Sequence, residues 1–559
     1  MLSTFHGLNT MVSGIQNNRV GLNTVGHNIS NSSSEGYSRQ TVNSVATRSQ
    51  TIWSYSRANQ IGSGVGVYGI SRARDIYADR QYWKENTTDG YYNAKARNYS
   101  KLETIFNDSD DNSLQASMEK FYQAWVDCST TASTASSRQN VINAGYNFAE
   151  TLNATATQVQ AQIESVYDEI ILSVDNINSM TDRVTVLNGQ IMEMEANGSS
   201  ANDLRDQRDL LVDQLSKIMH ISVNETPNGM YNLVCNGTTL VNGTSKVTIA
   251  VSKPINNEVY GISDYTLNIK ESDIPFNPGN GELYGQLQSI LEDKQYIDKL
   301  ANMAGFLMTT LNDQHKAGYT LVDDAGAQYK IKQGDNFYGK TGIRYEWVKD
   351  TSTGDAYMTI NEENPPGSGT YDTKQCRGIQ IIKELTINQD LTATDGHKLL
   401  ATRSATRDVD TTVDPPIVHN ITGVNGVADG ENAVWISTLF NCVKKNTSNV
   451  DYYEYIDGTT GRINEQTRAI GDESFYSYYN TSMTTLGSAT ENMNNKVEFQ
   501  SDLMTQITNL REATSGVNWD EELTNMITFQ QGYAACSRCL TTMDEMLDKL
   551  INSTGVVGR

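Results

Sequence analysis

The sequence predicts an α+β multidomain protein: terminal coiled-coil helices and a long helical trunk with inserted β-rich modules. Three observations predict it. Apolar residues alternate three and four apart at both chain ends, the same alternation runs from Leu152 to Met194, and short β-type runs separated by Asn-Gly turns follow it. The 559 residues suffice for three or four domains. Residues 1–45 and 515–559 read as the two halves of an inner coiled-coil domain. Between them, 46–220 reads as a linker or extended region and helical trunk, and 221–280 as β structure attached to the trunk. Residues 281–316 read as trunk helices, 317–435 as an outer β-rich module, and 436–514 as the return to the trunk.

In chain order, Leu8, Met11, Ile15, Asn18, Leu22, Val25 and Ile29 form a coiled-coil seam with one polar position. Gly7, Gly14 and Gly21 recur beside it, and each costs a helix about 1 kcal/mol relative to Ala. This segment therefore needs a partner helix. Residues 30–98 read as extended, with helical patterning from Leu102 to Met219. Within it Leu152, Ala156, Val159, Ile163, Val166, Ile170, Ile177, Val184, Leu187 and Ile191 make a rod longer than ~60 Å, ended by Asn197-Gly198. Residues 203–219 form a returning helix. Asn-Gly pairs at 228–229, 236–237 and 242–243 mark hairpins. Helix resumes over about 283–315, and 317–430 reads as strands punctuated by Pro365-Pro366 and Pro415-Pro416. Helices return over about 475–512 and 519–551. Asn518 caps the last of these, with Glu521 as the reciprocal capping partner and Asp520 and Glu522 at the positive dipole end. Its seam is Met526, Phe529, Tyr533, Cys536, Leu540, Met543, Leu547 and Leu550.

Charge excludes some functions. Lys plus Arg number 43 against 66 Asp plus Glu, a net charge of −23, so no nucleic-acid partner is expected. No apolar run reaches the roughly 18–20 residues of a membrane span, and the start carries no basic and apolar segments of a Sec signal. Six scattered Cys predict neither a disulfide framework nor a metal site. Tyr (29) outnumbers Phe (11), which suits wet interfaces.

Motif matches carry no chemistry. Gly334-Asp-Asn-Phe-Tyr-Gly339-Lys340-Thr341 has the letters of a phosphate-binding loop, but strand-like residues flank it on both sides and no helix opens at Lys340. It reads as a hairpin loop. Gly64-Val-Gly66-Val-Tyr-Gly69 lies inside a strand pattern and lacks a βαβ unit. Cys536-Ser-Arg-Cys539 falls mid-helix with Cys536 on the seam, and reads as a buried small residue instead of a redox or zinc site. No cofactor and no catalytic group is expected.

Residues Asn28-Ile29-Ser30-Asn31, then Gly36-Tyr37-Ser38-Arg39-Gln40, resemble the N-terminal signature of the flagellar rod, hook and hook-associated axial protein family. This chain has Ser33-Ser34-Glu35 where that family has Asn-Thr-Pro. Gly64, Gly66, Ile70, Arg72 and Asp75 resemble its next block. Gly516-Val517-Asn518, Asp520-Glu521-Glu522, Gln530, Tyr533, Arg538, Met546, Leu547 and Asp548 resemble the closing block of a hook-associated member. Asn312, His315, Gly318 and Gly430-Glu-Asn432 resemble its trunk-helix end and the return from its outer module.

The resemblance implies a structural, non-enzymatic adaptor joining hook to filament in the extracellular bacterial flagellum. It implies export through the flagellar type III apparatus with a dedicated chaperone on the C-terminal region. The partners it implies are a homo-oligomeric ring, the hook protein and a second junction protein, hook-associated protein 3. Another axial protein, of hook or filament type, is the alternative; an appendage-associated enzyme with activity in the outer module is a further one.

Overall fold

The computed structural model describes residues 5–54, 57–106, 113–324, 331–349, 356–363, 370–410, 417–441, 455–456, 463–464, 469–471 and 473–552. Pro365-Pro366, Pro415-Pro416 and Cys442 lie outside them. The helices are α1 (His6–Asn31), α2 (Ile76–Ile105), α3 (Leu114–Thr130), α4 (Ala135–Ala196), α5 (Asn202–Ile218) and α6 (Glu282–Phe306). A π-helical turn, Leu307–Leu311, leads into α7 (Asn312–Ala317); α8 (Ile379–Glu384), α9 (Gln389–Thr392), α10 (Glu431–Thr438), α11 (Phe475–Ser515) and α12 (Trp519–Asn552) follow. The architecture is α+β and multidomain.

The trunk is a helical bundle in which α2 packs on α5, α6 and α11, and α4 packs on α3, α5 and α6. The 62 residues of α4 bury Leu152, Ala156, Val159, Ile163, Val166, Ile170, Ile177, Val184 and Ile191. The buried line passes through Val174 where the strict repeat gives Ser173, because a straight helix drifts relative to a seven-residue repeat. Met194 is exposed, and Gly198 ends the rod at φ 81°.

Helix α2 corrects the extended reading of 30–98: strands Gln40–Ala46 and Val65–Arg72 pair antiparallel, but helix begins at Ile76. Asp75 caps it by accepting from Tyr77 N–H. Its buried face mixes Asp79, Asn86, Thr87, Lys95 and Asn98 with Ala, Gly, Trp83 and Tyr99, so hydrophobic periodicity is weak there. Asn86 donates to Ser216 Oγ (2.8 Å) and Thr87 Oγ1 to the Ser216 carbonyl (2.7 Å), while Trp83 donates to Asp213 (2.6 Å). A Cβ on Gly90 would lie 2.1 Å from the Lys217 carbonyl, so glycine permits that approach.

Strands Ile221–Glu225, Tyr231–Cys235, Thr238–Asn242 and Ser245–Lys246 form an antiparallel meander. Its turns fall on the Asn-Gly pairs. Asn236 and Gly237 both hold positive φ (43° and 85°), as a two-residue hairpin turn requires. Residues 317–430 hold a three-stranded sheet, Arg344–Lys349, Ala356–Glu363 and Tyr371–Cys376, and also the short α8 and α9, which the strand-only reading of this stretch misses.

Phenylalanines join this region to the trunk. Phe121, Phe148, Phe306, Phe337, Phe440 and Phe475 are fully buried, and the Phe306 and Phe475 rings stack at 5.1 Å. Polar clamps flank them. Asn312 Oδ1 accepts from Phe337 and Tyr338 N–H (2.9 Å each), and Gln314 donates to Asn432 Oδ1. His315 Nε2 accepts from Ala401 N–H (2.9 Å), which leaves Nδ1–H to donate to the Asp335 carbonyl. Burial lowers His315 to about 4, so it stays neutral.

The loop Gly334–Thr341 has no phosphate geometry, and it corrects the hairpin reading: it joins Ile331–Gln333, which pairs with Tyr319–Asp323, to Arg344–Lys349 of a separate sheet. The amides of Gly334, Asn336, Phe337, Tyr338, Gly339 and Lys340 all donate to protein oxygens, so they form no anion cradle.

One buried acid makes the trunk pH-sensitive. Asp293 on α6 is wholly buried, and one of its oxygens accepts from Asn98 on α2 (2.7 Å) while the other has no partner. Gln162 on α4 completes the chain by donating to Asn98 Oδ1 (3.0 Å), and the Lys95–Glu292 ion pair lies beside it. Burial pushes the Asp293 carboxyl up to about 7, against the Asn98 hydrogen bond. The folded state thus binds this proton more tightly than the unfolded chain. Its contribution is fully present below about pH 4 and is lost as pH rises through about 7. Asp293→Asn is expected to flatten that slope and to stabilise the trunk at pH 8 by up to about 4 kcal/mol. Denaturant titrations of both proteins at pH 5 and pH 8 check it.

Candidate assembly site

Helices α1 and α12 pair antiparallel, and the register is set by glycine. Gly7, Gly14 and Gly21 face Met543, Cys536 and Phe529. A Cβ on Gly14 would lie 2.9 Å from Cys536 Sγ, and one on Gly21 only 2.6 Å from the Phe529 ring. Gly532 of α12 sits in the same way against the Asn18 side chain. The glycine spacing read as helix weakness is therefore also the row of notches that lets two helices approach closely. Asn18 satisfies its own amide on the Gly14 carbonyl (2.9 Å).

The apolar residues of the two ends are placed unevenly. Val25 is buried; Leu8, Met11, Ile15, Leu22 and Ile29 are half-buried, as are Met526, Phe529, Cys536, Leu540, Met543 and Leu547. Tyr533 is 39% and Leu550 57% exposed. Of the CxxC pair, Cys536 is half-buried where the reading expects a buried small residue, and Cys539 is exposed. Trp519, Leu523, Ile527 and Met546 of α12 are exposed as well.

At the base of the pair the signature residues converge. Asn28, buried, accepts from the Gln40 amide (2.9 Å) and Tyr37 Oη (2.8 Å) and donates to the Gln40 carbonyl (2.9 Å) and to Glu522 (3.0 Å). Arg39 forks onto Glu521 (2.7 Å) and Glu522 (2.8 Å), and its amide donates to the Ser515 carbonyl. Glu522 is 1% exposed. Asn518 caps α12 through Asp520 and Glu521 N–H (3.0 and 3.3 Å). The carboxylate of Glu521 instead pairs with Arg39, which corrects the reciprocal capping reading: a guanidinium is a stronger partner for it than a backbone amide. Gly36 holds φ 77° against Leu210, and Gly516 leaves room for the Glu512 carbonyl.

The remaining signature residues stand outside this joint. Ser30 and Asn31 bond back to their own helix, on Gly26 and His27 carbonyls. Val517 is half-buried, and Asp520, Gln530, Arg538, Met546 and Asp548 are exposed.

A second ionic layer bolts the joint to the trunk. Gln40 Nε2 donates to Asp203 (2.8 Å), Ser38 N–H to Asp206 (3.1 Å), and Arg72 bridges Asp206 (2.6 Å) and Asp209 (2.9 Å). Arg74 pairs with Asp79 (2.7 Å), and Arg511 with Asp79 (2.9 Å) and Asp213 (2.5 Å). Burial alone raises the Asp209 carboxyl, but Arg74, Arg72 and Arg208 outweigh it and hold it below the usual range. Sequence reading missed this layer. Asp203, Asp206, Asp209 and Asp213 recur at helical spacing on α5, the one local signal that could have found it.

Among the described residues no group of three or more His, Cys, Asp or Glu side chains converges as a metal site, and no helix is long and apolar enough to cross a membrane.

Comparison with known proteins agrees with this layout. Residues 99–329 match the flagellar hook-associated protein FlgK helical domain, and residues 511–553 match the flagellar basal body rod FlgEFG protein C-terminal family. The flagellar hook-associated protein 1 of Bacillus subtilis is 28% identical over the whole of both chains. That of Escherichia coli is 25% identical over 98% of this chain and 99% of its own length. The fold is shared with the flagellar hook junction protein FlgK of Burkholderia pseudomallei (TM-score 0.55, 16% identity), over 78% of this chain and all of that one. Full-length similarity and the match over the trunk agree with the two terminal signatures: the chain is similar over its whole length to the flagellar hook-associated protein 1 of these bacteria.

Proposed function

We propose that this chain is a structural adaptor of the bacterial flagellum that joins hook to filament, with no enzymatic role. One observation supports it above the others. The α1–α12 pair leaves Trp519, Leu523, Ile527, Tyr533, Met546 and Leu550 exposed along α12, apolar side chains that two helices alone do not cover. In this reading neighbouring copies cover them in a ring, with the hook protein on one side and the second junction protein, hook-associated protein 3, on the other. The chain travels unfolded through the flagellar type III export apparatus to the extracellular flagellum, its C-terminal region held by a chaperone. The domain scheme 1–45 with 515–559 as inner coiled coil, 46–316 and 436–514 as trunk with attached β structure, and 317–435 as outer module is part of the same reading.

Leu550→Asp tests it. Leu550 is 57% exposed in the single chain, so its thermal stability should move by no more than about 0.5 kcal/mol. In the assembly a carboxylate would have to be desolvated there, at a cost of several kcal/mol. The variant is expected to be secreted and folded, yet absent from the junction, and the cells immotile. Thr541→Asp is the control. Normal swimming by Leu550→Asp cells would refute the assembly surface.

A further inference from the structure

The loop between two sheets that resembles a phosphate-binding motif has a different chemistry within reach. Asn336 is 1% exposed, and its orientation is locked because Nδ2 donates to the Lys340 and Ile343 carbonyls (2.7 Å each). The amide cannot be turned over without losing both bonds. Its oxygen, Oδ1, is left buried with no partner. Asn336 lines a cavity of about 10 Å³ together with Asp335, Asn388 and Asp390, room for one atom-sized guest. Asp335 uses one carboxylate oxygen on the Asn336 and Gly342 amides (2.7 and 3.2 Å), and Asp390 uses one on the Thr341 hydroxyl (2.5 Å). Each carboxylate keeps a second oxygen free for a ligand. Asn388 holds the two sides together by donating to the Asn336 carbonyl (2.9 Å) while its Oδ1 accepts from Thr341 (3.1 Å).

We propose that this cavity is a divalent-cation site that takes Ca²⁺, with Asn336 Oδ1 and the Asp335 and Asp390 carboxylates as ligands. The donors are hard oxygens, and a water molecule would find acceptors on several sides and few donors. Ca²⁺ tolerates an irregular oxygen set, whereas Mg²⁺ requires near-octahedral geometry and keeps its own waters. Two carboxylates place the affinity in the weak range of extracellular modules, with Kd about 10⁻⁴–10⁻³ M. The cation would staple loop 334–342 to segment 388–390, where the outer module meets α9. Its use outside the cell rests on the flagellar reading; the binding itself does not. Lys332 is the one cationic residue lining the cavity and is the competing occupant.

The test uses the purified full-length chain, first stripped with a chelator. Equilibrium dialysis against Ca²⁺ up to about 10 mM is expected to show one bound ion per chain, with thermal unfolding shifted upward by Ca²⁺ and not by Mg²⁺. Asp390→Asn, at an exposed position, is expected to weaken binding about tenfold or more without changing the metal-free melting temperature. Absence of binding at the highest concentration means that water occupies the cavity, and overturns the proposal. Binding unchanged by Asp390→Asn overturns it as well. So does a metal-free melting temperature lowered by Lys332→Met in a protein that binds no Ca²⁺, since the ammonium then answers the unpaired oxygens.

Discussion

Arg39→Ala is expected to loosen the whole α1–α12 pair from the trunk. The Arg39 side chain is 23% exposed and Glu522 only 2%, and the Glu522 carboxylate also accepts from the side-chain amide of Asn28. Removing the guanidinium strands a buried carboxylate, at about 3–5 kcal/mol for such a pair. The loss falls on a local unit, because the joint links α12 to the trunk while the Phe-rich core lies elsewhere. Hydrogen exchange by mass spectrometry should therefore show faster exchange over 519–530 and 28–40, with the α4 amides unchanged. Arg538→Ala, at an exposed position on the same helix, should leave both regions as they were. Protection of 519–530 undiminished in Arg39→Ala would mean that helix pairing holds the joint without the ion pair.

Gly21→Ala and Gly26→Ala are expected to act in opposite directions on one helix. Each gains about 1 kcal/mol of helix propensity. At Gly26 nothing lies within 4 Å of the new methyl group, so the gain is realised. At Gly21 the methyl would meet Cδ1 and Cε1 of Phe529 at 2.6 Å and Cγ at 2.8 Å, a rigid ring close to its own backbone. Overpacking of this kind costs about 1–3 kcal/mol, and it also pushes apart two helices whose register depends on the notch. The double variant Gly21→Ala with Phe529→Ala should recover part of the loss. A non-additive cycle identifies the pair as the point of contact. If Gly21→Ala stabilises the protein as Gly26→Ala does, the glycines are not packing positions. In swimming assays Gly21→Ala is expected to be impaired and Gly26→Ala normal.

By itself the sequence determined the elements whose signal is local. The long α4, the hairpins at the Asn-Gly pairs, the cap at Asn518 and the helicity of both ends follow from spacing and turn chemistry, which neighbouring residues decide. It also carried the two signatures, because Asn28, Arg39 and Glu522 lie in recognisable strings. What it did not carry is why those strings matter. Asn28 and Glu522 are 494 positions apart and meet only when the ends pair. Tertiary structure decided α2, whose buried face interleaves Asp79, Asn86, Thr87, Lys95 and Asn98 with small and aromatic residues, so that hydrophobic periodicity had little to report. It decided the partner of Glu521, drawn from its capping role by a guanidinium from the other end of the chain. It decided the role of the glycines as well. Propensity sees only the lost entropy at Gly7, Gly14 and Gly21, whereas close packing sees the space that Phe529, Cys536 and Met543 need, and that space is defined by a second helix.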